Sequence, residues 1–119
     1  MTVVRTNYEI ADALAQYDPT VRMFIDTETT SFDDEQEAFL PYHGHRITLV
    51  IIKQLGNPNI TTIPLRHRDD VAACVEDLEV AKQLIREWAE TLTCIANANF
   101  KFDMHMFAVD NIFFPKTIS

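Results

Sequence analysis

The sequence predicts one α/β domain built around a mixed sheet. Its 119 residues, 47% of them hydrophobic, suffice for a single core and fall within the usual size of one domain. Short apolar and β-branched runs, typical of strands, alternate with segments whose apolar residues recur every three or four positions. The predicted order along the chain is therefore helix, three strands, helix, strand, helix.

The first half of the chain contains a short helix followed by three strands. Residues 6–17 (TNYEIADALAQY) carry apolar residues at helical spacing, and Pro19 ends this amphipathic helix. Residues 21–26 (VRMFID) form the first predicted strand. Residues 46–55 (RITLVIIKQL) form the second, whose unbroken apolar middle predicts burial on both faces. The sequence GNPN predicts a turn before the third strand, residues 60–65 (ITTIPL).

The second half alternates helix, strand and helix. Apolar residues at helical spacing predict a long main helix from Asp69 to about Leu92. A short strand follows at residues 93–98 (TCIANA), and a last helix runs from about Phe100 to Asp110. Short links should pair the first three strands as an antiparallel meander, whereas the long helix allows strand four to lie parallel beside strand one. The ends of strands one and four then meet where open α/β sheets build their sites.

Acidic residues occur near both of these strand ends. Asp26 and Glu28 follow the apolar run of strand one, and alternation predicts that they share one face while Thr27 points to the other. Two carboxylates that close repel each other unless a cation lies between them, and hard divalent cations prefer oxygen ligands. Asp103 and Asn99 are four residues apart, which predicts a shared helix face near strand four. Simpler explanations stay open, namely a solvated loop for the pair and stabilisation by the helix dipole for Asp103.

The charge of the chain limits how it could bind nucleic acid. Ten basic against eighteen acidic residues give a net charge of −8, which argues against phosphate binding spread over the whole surface. Contact with phosphates must be local or bridged by metal. Arg66, His67 and Arg68 could assist, although a short surface cluster of this kind is often only solvated.

The cysteines and the N-terminus indicate the compartment. Cys74 and Cys94 are isolated and lack C-x-x-C spacing, and the N-terminal MTVVRTNYEI has neither a basic n-region nor an apolar h-region. These features predict a reduced, cytoplasmic protein. No apolar run approaches the ~20 residues of a membrane span, so no membrane partner is expected.

Two motifs resemble those of the DnaQ-like 3′–5′ exonucleases, which have an RNase H-like fold. FIDTETTSF (residues 24–32) is similar to the family's first motif, and NFKFDMHMF (residues 99–107) is similar to its second, N-x-K-[FY]-D. Between them, HRITLVIIKQ and TTIPLRHRDD resemble the family's second and third strands. The chain most resembles the proofreading exonuclease domain of family A, polymerase I-like DNA polymerases, including phage versions, from Tyr8 to Ile118.

The resemblance implies a two-metal exonuclease site that acts on single-stranded or frayed 3′ ends of DNA. Its catalytic and metal-binding carboxylates would be Asp26, Glu28 and Asp103. Two Mg²⁺ or Mn²⁺ ions ~3.5–4 Å apart would suit these oxygen ligands. Thr29 would contact the 3′-terminal nucleotide, Phe32 matches an apolar wedge against the last bases, and Asn99 would orient neighbouring groups.

The family's third motif, a Tyr or His followed four residues later by an Asp, has no counterpart before the chain ends at FFPKTIS. The sequence therefore predicts one incomplete exonuclease domain, residues 1–119, that lacks the fifth strand and the third-motif helix. We expect it to be weakly active or inactive alone, because positioned groups commonly supply about 10²–10⁴-fold of rate each. Asp110 lies two helical turns, about 10.5 Å, beyond Asp103, too far to replace the motif. The expected partner is a missing C-terminal exonuclease or polymerase segment, without which residues 112–114 (IFF) should lack cover.

Three other interpretations stay open. A zinc site could use His43, His45, His67 and the cysteines, although matched Cys pairs are lacking. The chain could instead be a catalytically deficient binding module or half of a split polymerase. It could also be a DnaQ-like nuclease that acts on RNA, which the two motifs do not exclude.

Overall fold

The computed structural model describes residues 1–31, 44–67, 69–96 and 100–114. Its helices and strands, in chain order, are β1 (Thr2–Val3), α1 (Asn7–Ala15), β2 (Met23–Ser31), β3 (His45–Gln54), β4 (Asn57–Pro64), α2 (Leu78–Ala89), β5 (Ile95–Ala96) and α3 (Phe100–Val109). A single 3-10 turn, Val71–Ala73, lies between β4 and α2. No helix in these described ranges is long and apolar enough to cross a membrane.

The strands form one mixed sheet in the order β1-β4-β3-β2-β5. Strands β2, β3 and β4 pair antiparallel, and β5 pairs parallel with β2, at Met23 with Ile95 and Phe24 with Ala96. The predicted meander and the parallel fourth strand beside the first are therefore confirmed. Strand β1, which pairs parallel with β4 at the other edge, was not predicted because two residues carry no periodicity.

The sheet buries one face and leaves the other partly open. The core lies between the helices and a face to which Ile25, Val50 and Ile52 contribute, each at most 1% exposed. On the opposite side, here called the outer face, Leu49 and Ile51 are only half-buried. The prediction that β3 is buried on both faces is therefore wrong. An unbroken apolar run does not distinguish a doubly covered strand from one whose outer side chains are half-buried.

The main helix is shorter than predicted. Residues from Val71 form only a 3-10 turn, and α2 begins after Asp77, whose side chain accepts a hydrogen bond from the Val80 amide (3.1 Å). The amide of Val75 bonds to the Pro64 carbonyl, and the amide of Glu76 bonds to the Arg5 carbonyl. Because these amides bond to β4 and to the segment after β1, they cannot join a continuous helix.

The residues after α3 pack against the core instead of lying uncovered. Ile112 is 0% exposed and Phe114 is 6% exposed, whereas Phe113 is 60% exposed. The ring of Phe114 contacts that of Phe107 edge-on, with centroids 5.0 Å apart. A left-handed residue, Asn111 (φ 62°), ends the helix and turns the chain back. The expectation that all of 112–114 lack cover is therefore wrong for two of the three residues.

A capping box at the start of α1 makes folding sensitive to acid. The Thr6 side chain accepts a hydrogen bond from the Glu9 amide, and the Glu9 carboxylate accepts hydrogen bonds from the amides of Thr6 and Arg5. The Thr6 and Arg5 amide hydrogen bonds, the Thr6 bond foremost, hold the pKa of Glu9 below its usual value of 4.5. A lowered folded-state pKa contributes stability that is present above the unfolded value and is lost as pH falls through the folded value.

We therefore expect Glu9→Gln to reduce the dependence of stability on pH in the acid range. The measurement is the urea midpoint at about pH 7 and about pH 3, since a glutamine keeps the shape of the cap but cannot titrate. Asp12→Asn, at an exposed position on the same helix, is the matched control. An equal loss of midpoint on acidification in wild type and Glu9→Gln would contradict the role of this cap.

Candidate active site

The predicted carboxylate pair lies on the outer face of β2, beside a break in strand pairing. Asp26 and Glu28 are both exposed, and they lie opposite Ile51 and Leu49. The Asp26 carboxylate accepts a hydrogen bond from the Thr27 amide (2.9 Å). As predicted, the two acids share one face. Their exposed oxygens are acceptors of the kind that Mg²⁺ or Mn²⁺ prefers.

A β-bulge follows Glu28. Glu28 pairs with Leu49 and Thr29 pairs with Ile47, so Thr48 is the extra residue of β3. The Thr48 hydroxyl donates to the Glu28 carbonyl (3.0 Å), and the Leu65 amide donates to the Thr48 carbonyl (2.8 Å). These bonds fix the backbone that carries Glu28. A bulge of this kind often re-aims side chains next to functional sites.

Asp103 reaches β2 from the opposite side. It is 3% exposed, and its carboxylate accepts a hydrogen bond from the Thr27 hydroxyl (2.6 Å). Thr27 lies between Asp26 and Glu28 in sequence, but its side chain points to the core side of β2. Asp103 therefore contacts β2 on the core side.

The predicted convergence of the three carboxylates is not seen as a metal-binding group in the described residues. No group of three His, Cys, Asp or Glu side chains that could hold a metal occurs within residues 1–31, 44–67, 69–96 and 100–114. The donor chemistry of Asp26 and Glu28 fits a hard cation, and Asp103 differs from them in being buried. Their catalytic and metal-binding roles stay predictions.

Of the three predicted substrate-binding residues, the structure describes only Thr29. Thr29 is half-buried in β2, directly after Glu28. Phe32 and Asn99 lie outside the described residues, so their predicted roles as wedge and orienting group stay predictions.

The basic cluster after β4 is partly engaged within the protein. The Arg66 guanidinium donates to the carboxylate of Asp110 (2.8 Å), which is buried in turn. The His67 Nδ1 atom accepts hydrogen bonds from the amides of Asp69 (3.0 Å) and Asp70 (2.9 Å). Arg68 lies outside the described residues. Arg66 and Asp110 therefore have a structural contact that the sequence did not reveal.

A cavity of about 500 Å³ lies beside Glu28, one of the two acids of the carboxylate pair. Thr29 also lines it. The cavity lies between the bulged ends of β2 and β3 and the segment that follows β4. Sequence reasoning named Arg66 and His67, which also line it, but missed Thr30, Thr48 and Ala73. The alternating pattern gives no sign of the bulge that brings Thr48 next to Glu28.

The Thr27 hydroxyl should stabilise the fold through Asp103. We expect Thr27→Val, which preserves shape, to lower the free energy of unfolding by about 1.5–3 kcal/mol, the range for a hydrogen bond to a charged group. Urea unfolding of the two proteins measures this. Thr30→Val is the matched control, since no hydrogen bond from its hydroxyl occurs in the described part of the chain. Equal costs for the two variants would mean that the Thr27–Asp103 bond adds nothing.

Comparison with solved structures decides the fold. The chain is similar to the Nibbler EXO domain of Aedes aegypti, with a TM-score of 0.56 over 94% of this chain. The fold is RNase H-like. Sequence identity to that domain is 6%, so the similarity concerns the fold alone, and the chain spans 46% of the length of that structure. No protein-family model and no curated protein matches the sequence.

Proposed function

We propose that the chain is part of a metal-dependent 3′–5′ exonuclease. The observation that carries the proposal is the exposed pair Asp26 and Glu28 on the outer face of β2, in an RNase H-like fold shared with an EXO domain. The two motifs described above point further, to the proofreading domain of a DNA polymerase that trims single-stranded or frayed 3′ ends. A DnaQ-like nuclease that acts on RNA would use the same residues.

The chemistry of this pair suits an acidic protein that must approach a phosphate chain. Asp26 and Glu28 would hold Mg²⁺ or Mn²⁺, and a second ion would require a further carboxylate such as Asp103. When bound, such ions stabilise charge on the attacking and leaving oxygens of a phosphodiester. Without a cation, a chain of net charge −8 would repel the substrate.

The other residues would position the substrate. Thr29 follows Glu28 on β2, where its backbone or hydroxyl would contact the terminal nucleotide, with Phe32 as wedge and Asn99 as orienting group. We also propose that the protein is cytoplasmic. A further segment, from an exonuclease or a polymerase, would complete the site.

The test combines metal binding with substrate degradation. We expect Mn²⁺ to broaden the amide signals of Thr27 and Thr29 in wild type, and Asp26→Asn to remove this broadening. Asp12→Asn, another exposed acid, should leave it unchanged. In parallel, 3′-labelled single strands of DNA and RNA are incubated with Mg²⁺, and any shortening should also depend on Asp26.

Two results would overturn the proposal. One is Mn²⁺ broadening that is the same in wild type and Asp26→Asn, together with no degradation of either strand. The other is degradation that persists unchanged in Asp26→Asn. Degradation of RNA but not of DNA would support the nuclease and reject the proofreading version.

A further inference from the structure

We infer that the groove between α1 and α2 is a docking site for a basic amphipathic helix of a partner protein. The groove has a volume of about 380 Å³ and is lined mainly by apolar side chains. Both helices pack on the core face of the sheet, whereas Asp26 and Glu28 lie on its outer face. The groove is therefore separate from the proposed nuclease site.

The groove is long enough for about two turns of a partner helix. Both α1 and α2 connect parallel strands, so the two helices run side by side in the same direction. The small, exposed side chains of Ala11 and Ala15 form one wall, and the half-buried Leu84 forms the other. Tyr8 on α1 is 76% exposed and Val80 on α2 is 37% exposed, and each lies one turn before a wall residue. Because residues three or four apart share a helix face, the apolar surface extends from Tyr8 to Ala15, about 10.5 Å at about 1.5 Å per residue.

The floor of the groove includes a hydrogen-bond donor without an acceptor. Tyr17 and Trp88 form this floor, with ring centroids 6.5 Å apart, and Trp88 is 9% exposed. The Tyr17 hydroxyl bonds to the Thr61 hydroxyl at 2.6 Å, whereas the Trp88 indole N–H has no acceptor in the described part of the chain. A buried indole N–H usually has one. A partner that brings a side-chain oxygen, such as that of a glutamine, to the indole would supply this acceptor.

The charges at the rim of the groove favour a basic partner. Among the described residues that line the groove, Glu87 carries the only charge, and it is exposed. Asp12 and Glu90, both exposed, are next in sequence to the lining residues Ala11 and Thr91. These acidic side chains attract the lysines and arginines of a partner, and they repel nucleic acid and anionic lipid headgroups.

The basic residues of the two helices do not neutralise this rim. Helix α1 has none. On α2, the Lys82 ammonium pairs with the Glu79 carboxylate (3.1 Å), and the Arg86 guanidinium donates to the carbonyl of Asn111 (2.7 Å), beyond the end of α3. The acids at the rim therefore stay available to the cations of a partner.

The groove favours a helical partner over an extended one. Its walls are helices, whose backbone N–H and C=O groups bond within each helix, so they offer no backbone partners to a strand. An extended segment would leave its own amides and carbonyls unpaired on an apolar surface, whereas a helix pairs them internally. A helix with apolar residues three and four apart, flanked by lysine or arginine, matches the walls and the rim.

The experiment titrates the 119-residue protein with three synthetic peptides of about 16 residues, long enough to form a helix. The first is an amphipathic helix of leucine, glutamine and lysine. The second has glutamate in place of every lysine, and the third has the composition of the first in an order that forms no apolar face. Binding is followed by the fluorescence and the indole N–H signal of Trp88, the one tryptophan of the chain.

We expect the lysine peptide to bind at least about 10-fold more tightly than the other two, because like charges and the loss of the apolar face each weaken the contact. Its binding should move the indole signal of Trp88 downfield, since the N–H gains an acceptor. Equal affinity for all three peptides, tighter binding of the glutamate peptide, or binding that leaves the indole signal in place would overturn the inference.

Variants at exposed alanines give a matched comparison. Ala11→Arg and Ala15→Arg each place a long cationic side chain across the groove, so each should weaken binding of the lysine peptide at least about 10-fold. Ala72→Arg adds the same charge at an exposed position in a different surface depression and should change the affinity less than about 2-fold. Glu87→Gln removes one acid of the rim and should weaken binding about 2–5-fold. Amide spectra show that each variant is folded, and equal affinity of Ala15→Arg and Ala72→Arg contradicts the docking site.

Discussion

Replacing Phe107 by alanine is expected to lower the free energy of unfolding by about 3–5 kcal/mol. Phe107 lies on α3 and is 0% exposed, and its ring contacts Phe114 edge-on at 5.0 Å. The substitution removes buried apolar surface and leaves a cavity that the neighbouring side chains fill only in part. Because domains of this size are commonly stable by about 5–15 kcal/mol, the variant should be partly unfolded on mild warming.

The neighbouring Phe113→Ala is the control for this prediction. Phe113 is the same residue type and lies six positions further along, but it is 60% exposed, so its loss should change stability by no more than about 0.5 kcal/mol. Urea unfolding followed by the fluorescence of Trp88 measures both variants. Equal costs for Phe107→Ala and Phe113→Ala would mean that α3 does not pack on the sheet as described.

The order of four of the five strands, β4-β3-β2-β5, could be predicted because it depends on local patterns. Apolar periodicity located α1, and apolar and β-branched runs located β2, β3 and β4, to within a few residues, while link lengths placed β5 parallel beside β2. The failures have another cause. The main helix was predicted too long because the amides of Val75 and Glu76 find partners on distant segments, which no local pattern shows.

The site was less predictable than the fold. Alternation along β2 correctly placed Asp26 and Glu28 on one face, since strand geometry is local. The position of Asp103 depends on how α3 lies across the sheet, and here it contacts Thr27 on the core side. The cavity depends on a bulge at Thr48, which arises from pairing between two strands and has no signature in either one alone.

The buried ion pair between Arg66 and Asp110 should be the second large contribution to stability. The two side chains are 14% and 5% exposed, and they connect the end of β4 to the end of α3. Removing one partner leaves the other charge unpaired in the interior, which commonly costs about 3–5 kcal/mol. We expect Arg66→Met to lie near the lower end of that range, because the Lys82 ammonium is 3.8 Å from the same Asp110 oxygen.

A double-mutant cycle separates the pair from the burial of its members. Arg66→Met and Asp110→Leu should each destabilise the protein, and the double variant should recover much of the loss, because two apolar side chains can replace a buried pair at little net cost. Glu79→Gln breaks a second ion pair, with Lys82, but Glu79 is 79% exposed, so this change should cost about 0–1 kcal/mol and decline with added salt. The coupling between Arg66 and Asp110 should decline less with salt, since a largely buried pair is screened less than an exposed one. If the losses of unfolding free energy in the two single variants simply add in the double variant, the ion pair contributes only through packing. The ends of β4 and α3 would then be held together by the apolar core alone.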